Sequence, residues 1–95
     1  MKRYYEAGCV AEIVSIRRQD LGMTQAELAK RLELDSANFI SILEAGRSKV
    51  PIERVVDFAE ALKMPPNWFL MRALRERYPQ VAAFLAGDFP DNKKF

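Results

Sequence analysis

A chain of 95 residues, 49% apolar and 29% charged, has room for one domain with a real core and not for a second of ordinary size, and its balance excludes fibrous and disordered classes. Its apolar runs are only a few residues long and no charged segment leads into a longer one, which excludes a membrane span and a secretory leader, so a cytoplasmic protein is expected. Cys9 is the only cysteine and histidine is absent, which excludes an internal disulfide, a thiolate metal cluster and the commonest general base, while the net charge of +2 is too small to argue for nucleic acid by itself.

Apolar residues recur at helical spacing along most of the chain, and no stretch alternates long enough for a strand, so an all-α fold is expected. A first helix is predicted over residues 5–21, with Val10, Ile13, Val14 and Leu21 inward and Gly22 closing it. Thr24, with Glu27 three residues on, matches a capping box and opens a second helix over residues 24–32, with Leu28, Ala29 and Leu32 as its buried stripe. Glu33 and Leu34 form the turn. Asp35 or Ser36 caps a third helix that runs to Glu44, carries Ile40 and Leu43 inward and ends at Gly46.

Pro51 biases Val50 towards an extended conformation and suits the first turn of a fourth helix, which directs Val55, Val56, Ala59 and Leu62 inward. Pro65 and Pro66 break that helix and start a fifth over residues 67–77, with Trp68, Phe69, Ala73 and Leu74 on its apolar side. Pro79 interrupts again, residues 81–85 form one or two further turns, and residues 88–95 fray. The reading is thus a domain over residues 1–77 with a short C-terminal helical extension over residues 78–95.

Two short helices joined by a tight turn, with a small residue at their crossing, are the sequence form of a helix-turn-helix, here over residues 24–45. The residues that carry it are Thr24, Gln25, Leu28, Ala29 and Leu32, then Leu34, then Ile40, Leu43, Glu44 and Gly46. With Arg18 late in helix one and Pro51 before helix four, this pattern resembles the Cro and lambda-repressor-like (XRE) group of transcriptional regulators over roughly residues 10–71. The stretch from Leu32 to Gly46 is one residue longer than in the commonest members, which leaves the start of helix three open by one position.

The resemblance implies a compact five-helix domain that docks helix three in the major groove of double-stranded DNA. Ser36, Ala37, Asn38, Ser41 and Ile42 then become the base-reading candidates: Asn38 is suited to a bidentate contact with adenine, and Ala37 or Ile42 to a thymine methyl. Ser36 and Asn38 have the alternative of merely capping the helix. Phe39 is expected in the core or over the helix junction. Gln25 stands where the family's phosphate-touching glutamine does, the alternative being an exposed helical glutamine. Arg47 and Lys49 follow helix three in a loop that would track the phosphate backbone, with Arg17 and Lys30 as further candidates. Arg18 and Glu44 match a structural ion pair of the family.

One reading helix covers few base pairs, so a homodimer is expected, with Trp68, Phe69, Phe84, Leu85 and Phe89 as its interface, the alternative being that these aromatics complete one core. Cys9 is expected to be buried or half-buried. No cofactor, metal, small-molecule ligand or membrane partner is expected, and no enzymatic activity. The function these expectations support is a repressor acting on a palindromic operator. The alternatives are an antitoxin whose C-terminal segment also grips a toxin protein, and a helical protein-interaction module.

Overall fold

The computed structural model describes residues 2–87, in which all regular structure is helical. Helices α1 (Val10–Asp20), α2 (Gln25–Arg31), α3 (Asn38–Glu44), α4 (Val55–Ala61), α5 (Pro66–Arg77) and α6 (Pro79–Leu85) are joined by short connections, with 3-10 turns at Tyr4–Glu6 and Ile52–Arg54. Phe89 and the tail over residues 88–95 lie outside the described residues. No helix among the described residues is long and apolar enough to cross a membrane.

The first helix is shorter than its apolar pattern suggests. Residues 4–6 make a separate 3-10 turn, closed by the Arg3 amide donating to Glu6 Oε1 at 2.9 Å. Gly8 and Cys9 then run non-helically into α1, where Glu12 Oε1 accepts the Gly8 amide at 2.9 Å and Glu76 Oε2 accepts the Val10 amide at 3.0 Å. Two carboxylates thereby satisfy orphan donors at the start of α1, which fixes the helix start five residues later than expected. Cys9 occupies the N-cap position of this helix and is exposed, contrary to the buried setting expected for it.

α1 packs against both α3 and α5, α2 against α3, α4 against α5, and α5 against α6. Ile13 and Val14 of α1, Leu28 of α2, Ile40 and Leu43 of α3, and Phe69 of α5 meet in one core and are closed to solvent. In α4 the inward set is Val55, Phe58, Ala59 and Leu62, spaced i, i+3, i+4, i+7, while Val56 is 48% exposed. The expected inward turn of Val56 is therefore replaced by Phe58, the residue the 3.6-residue period selects once Val55 is fixed.

Four helix ends close alike, each with a left-handed residue followed by a backbone hydrogen bond reaching back five residues. Gly22 (φ 70°) and Gly46 (φ 79°) fill that position after α1 and α3, as glycine does most readily. After α2 and α4 the position is held by Glu33 (φ 58°) and Lys63 (φ 53°), with Leu34 N donating to Ala29 O and Met64 N to Ala59 O.

Candidate nucleic-acid interface

The α2–α3 unit is built from local signals. Thr24 Oγ1 accepts the Glu27 amide at 3.0 Å and Glu27 Oε1 accepts the Thr24 amide at 2.8 Å, the reciprocal capping box read from the sequence. The hydrogen bond from the Thr24 amide, chiefly, holds the Glu27 carboxyl below its ordinary value. The turn is longer than Glu33 and Leu34 alone: regular helix resumes only at Asn38, and half-buried Leu34 pins the turn to the core. The N-cap position of α3 is Ala37, which has no side-chain cap, in place of the expected Asp35 or Ser36; Ser36 Oγ, one residue earlier, accepts the Asn38 amide at 3.3 Å.

The far end of α3 is locked by a three-residue cluster. Arg18 donates from Nε to Glu44 Oε2 at 2.7 Å and from Nη2 to Glu44 Oε1 at 2.9 Å, and from Nη1 to the Met23 carbonyl at 2.8 Å. Gln25 Nε2 adds a third donor to Glu44 Oε1 at 3.1 Å. The Arg18 and Glu44 side chains are only 12% and 8% exposed, so the pair is desolvated and its geometry is dictated by the fork of the guanidinium. The hydrogen bond to Glu44 raises the already high pKa of Arg18. Through this cluster α1 and the start of α2 both hold the end of α3. Gln25 Nε2 keeps one further N–H beyond the one it gives to Glu44.

On the opposite side α3 presents Asn38, Ser41, Ile42 and Ala45, spaced i, i+3, i+4, i+7 and all exposed. Three of these are among the five expected base-reading residues, and Ala45 is an addition that the same spacing would have found. Ser36 is exposed, with its hydroxyl accepting the Asn38 amide, and Ala37 is half-buried at the N-cap position of the helix. Phe39 is half-buried against the core.

The candidate phosphate-contacting cations fall into different states. The Arg47 side chain is exposed with no polar partner among the described residues, and Lys30 is exposed on α2. Lys49 Nζ lies 3.7 Å from Glu76 Oε1. Arg17 is engaged elsewhere: Nε donates to the Leu62 carbonyl at 2.8 Å and Nη2 to the Lys63 carbonyl at 3.0 Å, with the guanidinium 4.8 Å from the Tyr4 ring centre. It closes the C-terminal end of α4, where a cation is favoured, and its geometry argues for a structural rather than a phosphate-contacting role. Arg54 does the same for α2 through the Leu32 carbonyl at 2.6 Å, and Arg72 and Arg77 donate to the carbonyls of Ala7 and Val50. Much of the basic complement thus works inside the fold.

The expected dimer residues also divide. Phe69 is wholly buried in the core, and half-buried Trp68 packs edge-on against Tyr4 at 5.5 Å between ring centres. Both complete the protomer. Phe84 and Leu85 are 51% and 63% exposed on α6, with Tyr78 and Val81 nearby at 45% and 48%.

A capped helix, a short connection and a second helix braced from behind with a mixed polar and apolar face turned outward define a helix-turn-helix. The match of a family model for the helix-turn-helix domain to residues 14–67 bears this out, and the chain belongs to that family, in keeping with its Cro and lambda-repressor-like pattern. No curated protein and no solved structure gives a significant match. The domain is therefore of a DNA-binding kind.

Proposed function

We propose that this chain is a sequence-specific transcriptional repressor that binds a palindromic operator in double-stranded DNA as a homodimer, in the cytoplasm. The observation that carries the reading is the exposed face of α3, where Asn38, Ser41, Ile42 and Ala45 stand on a helix fixed from behind by Arg18, Glu44 and Gln25. Such a face carries donors, acceptors and apolar groups, and the major groove displays a distinct pattern of such groups for each base pair. Gln25, Arg47 and Lys49 flank it as phosphate contacts that set register.

A seven-residue helix reaches only a few base pairs, so specificity requires two copies on half-sites about 34 Å apart. Val81 and Leu85 lie along one side of α6 with exposed Tyr78 just ahead of the helix, and we assign this patch to the second copy. A toxin partner on the same patch is the competing outcome and would appear as a second protein of different mass.

Binding to the chain's own promoter and to random duplex, measured across salt concentrations, tests the proposal. If each protomer neutralises about four phosphates, the dimer's log–log slope is about −7, with clear preference for the promoter. A flat slope and no preference would refute it.

A further inference from the structure

The loop that leaves α3 carries two cations, and one of them is already held. Lys49 Nζ faces Glu76 Oε1 at 3.7 Å, while the other oxygen of that carboxylate accepts the Val10 amide at 3.0 Å. That amide belongs to the first turn of α1, where orphan donors and the helix dipole favour a negative charge. Glu76 is therefore anchored by a second partner and cannot follow Lys49 outward. One residue further on, Arg77 Nη1 donates to the Val50 carbonyl at 3.3 Å, so the same turn of α5 also holds the loop backbone. Arg47, by contrast, has no polar side-chain partner among the described residues.

We propose that Glu76 is a built-in brake on DNA affinity: it competes with the phosphate backbone for Lys49 and places a fixed negative charge behind the contact loop. This rests on the reading that the loop meets DNA. A phosphate approaching Lys49 must displace an anchored carboxylate and is repelled by it. The Lys49 side chain is 53% exposed, so water screens the pair and the brake is modest. An exposed pair of this kind shifts an equilibrium about threefold, so a dimer gripping two half-sites is held back about tenfold. Arg47 supplies the unbraked part of the contact.

The test uses random-sequence duplex, which registers backbone contacts alone, and four proteins: the native chain, Glu76→Gln, Lys49→Gln and the double variant. Glutamine keeps an oxygen for the Val10 amide, so the start of α1 is retained, and thermal unfolding verifies it. Glu76→Gln is expected to bind about tenfold tighter than the native chain, and this gain is expected to fall below about twofold when Lys49 is already glutamine. An equal gain in both backgrounds would make the effect one of net charge and overturn the brake, as would no gain at all in a native chain that binds. Absence of salt-dependent binding in all four proteins overturns the DNA-binding reading itself. Should Glu76→Gln fail to fold, the native background decides: Lys49→Gln is expected to weaken binding at least about threefold less than Arg47→Gln, and equal losses overturn the proposal.

Discussion

Arg18 and Glu44 meet through two hydrogen bonds of 2.7 and 2.9 Å with both side chains almost closed to solvent, so the end of α3 is fixed to α1 by a charge pair. Removing one partner leaves the other desolvated and unpaired. Arg18→Ala or Glu44→Ala is expected to cost about 3 kcal/mol, lowering the melting temperature by more than about 10 °C. Paired apolar replacement at both positions is expected to recover much of that loss. Calorimetry of the two single variants and the double variant checks both statements; a single alanine variant melting with the native chain would refute the lock.

The two acidic caps make a pH prediction. The Glu12 carboxyl is held below its ordinary 4.5 chiefly by the backbone hydrogen bond from Gly8, and Glu27 likewise by the one from Thr24. A carboxyl depressed in the folded state stabilises it above the unfolded value and loses that contribution as pH falls through the folded value. Stability should hold steady down to about pH 5 and decline below 4.5. Glu12→Gln and Glu27→Gln, followed by urea unfolding across this range, should each make the decline shallower.

Gly22 offers a backbone test free of packing effects. Its φ of 70° disfavours any side chain, yet a Cβ placed there would meet nothing within 4 Å. Gly22→Ala is therefore expected to cost about 1 kcal/mol, from strain alone. Glu33→Gly, at a position with φ 58°, should act in the opposite direction by a few tenths, because glycine also gains freedom in the unfolded chain. Chemical denaturation of both variants measures the two signs.

On the exposed face of α3, under the proposed function, Asn38→Ala is expected to lose about 1–3 kcal/mol on the true operator and little on random duplex. Equal losses on both would place Asn38 among the phosphate contacts. For assembly, sedimentation of the native chain should give twice the protomer mass, and Leu85→Asp, at a residue 63% exposed, should halve it without unfolding. A native chain that stays monomeric at high concentration would remove α6 as a self-association surface.

The helix-turn-helix could be read from the sequence because each of its signals is local. The Thr24 and Glu27 box, Leu28 and Ala29, Ile40 and Leu43, and Gly46 sit within a turn or two of what they determine. What escaped was set by distant parts of the chain. The start of α1 depends on Glu76, sixty-six positions away, and the role of Arg17 on carbonyls at the end of α4. Neither leaves a periodic trace. Val56 was misplaced for a nearer reason: two adjacent valines are equally apolar, and only Phe58, overlooked, distinguishes the helix phase. Phe69 and Trp68 looked surplus because the share of core supplied by the N-terminal turn was invisible.

That N-terminal turn has a practical consequence. Trp68, the single tryptophan, lies with its ring edge-on to Tyr4 and 5.6 Å from the Arg72 guanidinium, so its emission depends on whether residues 4–6 are seated on α5. The protein carries its own fluorophore at the seam between its N-terminal turn and α5. Removing residues 2–6, or fusing a bulky tag ahead of them, would announce itself as a spectral change well before any loss of helicity.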